Sequence, residues 1–205
     1  HMGASYDNYV PDVYLMDPVT MRWKHIQVDG WRQSDGTGMT APYSRYLAAM
    51  AFLPSSAMHF RIRSFSYTLE SIIRETTLGI QEYQLLVPIS ELNSIARQTS
   101  TWAVPIIGKD LERGLVRWLE EVLYRGYGEG QWLVDVSISV SDEYISGHVS
   151  WIDADLVERE IEVKAITMHE LILEEVPEGV TISGKISEVP DFEGSGWTSQ
   201  VILDI

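Results

Sequence analysis

The spacing of apolar residues changes period near residue 128, and few architectures accommodate such a change. From Asp110 to Arg125 the positions Leu111, Leu115, Trp118, Leu119, Val122 and Leu123 form one helical stripe. Glu112, Arg113, Arg117, Glu120 and Glu121 lie on the opposite, wet side. Asp110 is a suitable N-cap, and Arg125-Gly126 and Gly128 stop the helix. Beyond it the period becomes two. Trp132 to Val140, Tyr144 to Trp151, Glu160 to Thr167, Leu171 to Val176 and Gln200 to Ile205 read as strands. A second helix precedes these elements, capped by Thr68, with Leu69, Ile72, Ile73 and Ile80 on one face. Each apolar stripe needs a surface to cover. The fold class that follows is α+β: a two-layer sandwich, its mainly antiparallel sheet of four or five strands covered on one face by two helices.

The first part of the chain reads differently. His1 to Ser5 resemble a cloning remnant, and residues 6–56 form an N-terminal extension. Val13 to Leu15, an Asp17-Pro18 turn and Arg22 to Val28 predict a hairpin closed by Asp29-Gly30. Tyr43 to Leu53 predicts a short helix ended by Pro54. Trp23, Trp31, Tyr43 and Tyr46 fit a small satellite core better than an interaction surface. The main domain then spans 57–205, opening on a strand from Phe60 to Phe65. Gln84 to Pro88 and Trp102 to Ile107 are strand-like, Ser90 to Arg97 has no clear pattern, and Glu178 to Gly196 reads as a long hairpin connection.

Charge narrows the function classes. The chain carries fifteen Lys and Arg against thirty Asp and Glu, a net charge of −15. Nucleic-acid binders neutralise phosphates with clustered cations. Here only Arg61, Arg63 and Arg74 come close to a cluster, so direct nucleic-acid binding is disfavoured and a protein partner with a basic surface is expected. Without cysteine there is neither a disulfide framework nor thiolate chemistry. No 18-residue apolar run and no signal-peptide layout is present, so a cytoplasmic location is expected. The loop Asp35-Gly36-Thr37-Gly38 lacks the Lys-Ser/Thr of a phosphate loop, and no Gly-x-Ser-x-Gly occurs.

Chemistry concentrates at the far end. Val201, Ile202, Leu203 and Ile205 are too apolar for a solvated tail, so they predict a docked strand. Asp204 and the Ile205 carboxylate would place two anionic oxygen donors side by side, a start on a site for a hard cation.

Several segments from about Phe60 onward are distinctive when taken in order. They are Thr68-Leu69-Glu70 at the first helix start and Gly108-Lys109-Asp110-Leu111-Glu112 running into Trp118 to Tyr124. Glu162-Val163-Lys164-Ala165-Ile166-Thr167 and Val201 to Ile205 complete the set. In this order and spacing they resemble the archease family of RNA-ligase activators. The resemblance implies an archease-like fold and a non-enzymatic accessory role. The protein would assist an RNA ligase in its nucleotidyl-transfer step, in tRNA splicing or RNA repair. It also implies a divalent metal held by Asp204 together with an Asp in a His-Thr-Ala-Asp signature. That signature is missing: the position of its Asp falls on His59, preceded by Ser56-Ala57-Met58. An imidazole there would turn preference from Ca²⁺ or Mg²⁺ toward Zn²⁺, Mn²⁺ or Ni²⁺. His59, His169 and Asp204 are therefore candidate ligands, with Ile205, while Lys164 and Glu162 are candidate partner-facing residues. Two alternatives stay open. One is a binding or oligomerisation module of this fold that has lost the metal; the other is a small metal-dependent hydrolase.

Overall fold

The computed structural model describes residues 12–16, 23–27, 49–50, 59–86, 89–159, 162–182 and 192–204. The strands are β1 (Asp12–Met16), β2 (Trp23–Gln27), β3 (Ala49–Met50), β4 (His59–Ser66), β5 (Gln98–Pro105), β6 (Gln131–Val140), β7 (Tyr144–Asp153), β8 (Ala165–Val176), β9 (Thr181–Ile182), β10 (Phe192–Glu193) and β11 (Gly196–Asp204). The helices are α1 (Leu69–Gln84) and α2 (Leu111–Tyr127). Short 3-10 turns cover Ile89–Ser94 and Ala154–Leu156. Every strand pairing in the described residues is antiparallel. The α+β class and the two packed helices are therefore as the sequence predicts.

The strands divide in a way the pattern does not reveal. One sheet runs β2-β1-β4-β11-β8, with β3 also on β4; a separate sheet runs β5-β7-β6. Both helices touch both sheets: α1 packs on β4, β11 and β6, and α2 on β8, β5, β6 and β7. Twelve of the sixteen residues of α1 are consequently buried, including Glu75, Thr76, Thr77, Gln81, Glu82 and Gln84. The single apolar face expected of α1 is thus a helix enclosed nearly all round.

Burying polar groups requires partners for them. Arg74 and Gln81, two turns apart on α1, reach the unpaired side of β6. Arg74 donates from Nε to the Val136 carbonyl at 3.0 Å and from Nη2 to the Asp135 carboxylate at 2.9 Å. Gln81 Nε2 donates to the Leu133 carbonyl at 3.0 Å, beside the register shift between Leu133 and Asp135. On the side of the large sheet, the Thr76 and Ser199 hydroxyls lie 2.7 Å apart. Trp118 of α2 donates its indole N–H to Thr77 Oγ1 at 2.9 Å. The α1 N-terminus is closed by a capping box, in which Thr68 Oγ1 accepts from the Ser71 N–H and Ser71 Oγ from the Thr68 N–H, each at 3.1 Å. Asp110 caps α2 by accepting from the Arg113 N–H at 3.1 Å.

Several boundaries move. α1 continues through Gln84, so the strand expected to begin there does not, and among the described residues Leu85 makes only an isolated bridge to Arg159. The later part of the strand expected at 160–167 and the strand expected at 171–176 are one strand, β8, whose ladder is interrupted between Thr167 and Ile172. Gly126 does not stop α2, because its missing side chain admits the Trp132 ring and the helix ends at Gly128. The hairpin expected near 13–28 is present as β1–β2, and β1 pairs directly with β4. The short helix expected over Tyr43–Leu53 is corrected at Ala49–Met50, which is extended and pairs with β4; a ladder to a neighbouring strand outweighs local helical propensity there. The Asp35–Gly38 loop, Trp31, Tyr43 and Tyr46 lie outside the described residues.

Gly147 on β7 marks the tightest approach between α2 and the small sheet. A Cβ there would stand 2.5 Å from the Trp118 ring and 2.7 Å from Val136. Trp118 is fully buried and held by Thr77, so it cannot retreat. Gly147→Ala should destabilise the protein by about 1–3 kcal/mol through overpacking, read as a lower denaturant midpoint at unchanged slope.

Candidate functional site

β11 is the centre of the site because it lies between β4 and β8, with its last described residue, Asp204, at the sheet's end. The apolar tail is docked as expected: Val201, Ile202 and Leu203 are at most 1% exposed. Strand alternation sends Val201 and Leu203 into the core with the helices and Asp204 to the other face, with Ile202. Asp204 itself is partly exposed. Asp204 therefore lies on a central strand and not at the sheet's edge. Asp204 has a paired neighbour on both sides.

Those neighbours are specific. Directly opposite Asp204 on β4 is position 59, and directly opposite on β8 is Ala165. Opposed residues of an antiparallel pair have Cα atoms about 4.5–5.5 Å apart. The register thus joins His59 to Asp204 across 145 positions of sequence. The His59 side chain and the whole of Ile205 lie outside the described residues. Just ahead of β8, the Lys164 N–H donates to the Asp204 carbonyl at 2.7 Å. Glu162 and Lys164 are exposed, while Val163 between them is buried. Both candidates sit in the segment leading into β8 rather than within the strand.

His169 is not drawn into this group. Thr167 pairs with Ile202 and Ile172 with Gln200, so Met168 to Leu171 bulge out of the ladder. Glu170 adopts φ of 48°, and Gln200 Nε2 holds its carbonyl at 2.9 Å. His169 stands exposed on that bulge, two register steps and an irregularity away from Asp204. Among the described residues, no three His, Asp or Glu side chains converge as a metal cage. Arg74, which the sequence grouped with Arg61 and Arg63, is bound to Glu75 and Asp135 and is committed to the fold.

Behind the site the two helices end together. Tyr127, the last residue of α2, donates its hydroxyl to Oε1 of Gln84, the last residue of α1. The Val163 N–H in turn donates to the Tyr127 oxygen at 3.1 Å. The Arg159 guanidinium covers the Tyr127 ring at 5.0 Å and the Trp132 ring at 5.3 Å. The sequence reading misses this group, although a signal exists: Tyr127 continues the Leu119, Leu123 spacing of four, and Gln84 the Thr76, Ile80 spacing.

Two comparisons bear on the chain. A family model described as the Archease protein family matches residues 59–205, more than two thirds of the chain. No curated protein matches it. Among the described residues no helix is long and apolar enough to cross a membrane.

Burial pushes the Tyr127 phenol up from 10.0 to about 12, with the Val163 N–H opposing part of the rise. The folded chain therefore holds this proton more tightly than the unfolded chain does. The resulting stabilisation is complete below about pH 10 and is lost as pH rises toward about 12. Subtracting the tyrosinate absorbance titration of Tyr127→Phe from that of wild type should isolate one phenol titrating well above the ordinary tyrosine range. A difference curve centred at the ordinary value would contradict this assignment.

Proposed function

Because the chain belongs to the archease family, we propose that it is an accessory protein that assists an RNA ligase in its nucleotidyl-transfer step, with Asp204 as the residue presented to the ligase. The observation that carries this reading is the three-strand register at Asp204. A partly exposed carboxylate stands at the end of a central strand whose preceding residues are buried in the core. Among the described residues Asp204 makes no ion pair, so the carboxylate is held in place and not consumed by them, as suits a residue acting on a partner. The net charge of −15 favours a ligase surface of opposite sign and speeds the encounter. The cytoplasm is the matching compartment.

The family's metal is tested by the donor set. Where relatives use two carboxylates, this chain has His59 opposite Asp204. One nitrogen and one oxygen donor fit Mn²⁺ or Zn²⁺ better than Ca²⁺ or Mg²⁺. His59 and Asp204 would hold such an ion, which would supply Lewis acidity toward a phosphate oxygen. His169 lies on the β8 bulge and not opposite Asp204, which lends less support to a self-contained hydrolase built on His59, His169 and Asp204. A second reading keeps the fold and the partner but dispenses with metal. It is favoured by the lost carboxylate at position 59 and by the β1–β2 hairpin, which adds two strands to the large sheet. In that reading the hairpin serves oligomerisation or partner binding.

Asp204→Ala should reduce stimulation of a cognate RNA ligase to the level of ligase alone. Its unfolding midpoint should stay within about 2 °C of wild type, as for a partly exposed side chain. Full stimulation by the variant would end the proposal. Elemental analysis and titration should show Mn²⁺ or Zn²⁺ bound ahead of Ca²⁺, with binding lost in Asp204→Ala. His59→Asp should reverse that order toward Ca²⁺. Ligase stimulation by a protein that binds no metal would instead select the second reading.

A further inference from the structure

The segment from Glu162 to Lys164 enters β8 without a strand ladder of its own, yet it supplies the hydrogen bond that flanks Asp204. Its placement depends on what lies behind it. Val163 is 1% exposed, and its N–H is directed inward to the Tyr127 oxygen at 3.1 Å, with Gln84 Oε1 3.5 Å away. Gln84 is fully buried and fixed in turn, its Nε2 donating to the Ile80 carbonyl at 3.1 Å and to Gln81 Oε1 at 3.3 Å. The Tyr127 hydroxyl therefore has one role toward each neighbour: it donates to Gln84 and accepts from Val163. One residue further on, the Lys164 N–H meets the Asp204 carbonyl.

We propose that Tyr127, seated on Gln84, is a positioning residue for the Asp204 site. By holding the Val163 amide, it fixes the Lys164–Asp204 hydrogen bond that sets where the Asp204 carboxylate stands. Without the phenol oxygen, the Val163 N–H would face a buried surface with one long contact to Gln84. The entry to β8 would then open toward water to satisfy it. β11 would lose its neighbour on that side at the very residue that carries the function. The ends of α1 and α2 would thus govern a carboxylate they do not touch.

This inference rests on Asp204 being the working residue, but its structural half can be read without that. The test is Tyr127→Phe, which keeps the ring under Arg159 and removes only the hydroxyl. Val149→Ala, at a fully buried position in the middle of β7, serves as a control of general destabilisation. Amide hydrogen exchange at Val163 and Lys164 should speed up about tenfold or more in Tyr127→Phe beyond any change in the control. The Asp204 carboxyl carbon resonance should shift in the same variant, and Mn²⁺ affinity should fall about tenfold, with both unchanged in Val149→Ala. Wild-type exchange at both amides, or acceleration matched by the control, would overturn the proposal. Faster exchange with an unmoved Asp204 resonance would also overturn it, since the entry to β8 would then be loosened without consequence for the site. If the wild type binds no Mn²⁺, the metal reading falls, while exchange and the Asp204 resonance still decide the role of Tyr127.

Discussion

The described fold is arranged around a helix that is enclosed nearly all round. α1 touches both sheets, and twelve of its sixteen residues are buried although six of those are Glu, Thr or Gln. A helix of that composition would expose its polar face if it covered one sheet only. Enclosure is tolerable because the polar side chains bond across the layers. Arg74 and Gln81 serve β6, Thr76 meets Ser199 on β11, and Thr77 receives Trp118. Glu82 accepts from the Ile89 N–H at 2.7 Å and so pins the turn that follows. The contacts to β6, β11 and α2 each fix a distance between elements remote in sequence. Leaving any one buried group unbonded would cost about 1–3 kcal/mol.

The site inherits its definition from that packing. β11 is held on its inner face by Ser199, Val201 and Leu203 against the helices. The opposite face is covered further along by the Phe65–Phe192 stack, with centroids 4.9 Å apart. Between these constraints the strand cannot slip by one residue, since a slip would exchange its buried and exposed sets. Asp204 therefore pairs in register with position 59 and with Ala165. The bulge in β8 then uses three extra residues to carry His169 away from this end, and Gln200 holds it there through the Glu170 carbonyl.

Much of this was legible before any fold was considered. Thr68 and Asp110 are capping residues whose side-chain oxygens do what their type predicts. The Leu115, Trp118, Leu119, Val122 stripe is buried as spaced. Strand positions were readable from alternation in most of β7 and in β6 from Val136 onward, where one side is more buried than the other. Alternation failed where both sides are covered. β11 is buried from Gly196 through Leu203 apart from partial exposure at Trp197, so only its apolar end gave a signal. Helical spacing failed in the same way at α1, whose buried glutamine and glutamate look like surface residues in one dimension.

The two capped helices, the antiparallel strands, the archease likeness and the candidacy of Asp204 are all legible in the amino-acid string. These depend on local spacing and residue type, which a linear string preserves. The folded chain adds that the strands form two sheets and that position 59 stands opposite Asp204 while His169 does not. It alone brought Tyr127 and Gln84 together behind Lys164. Those facts depend on register and on pairs of side chains tens of residues apart. Register is set by which faces must be buried once the helices are in place, and no local pattern contains that information.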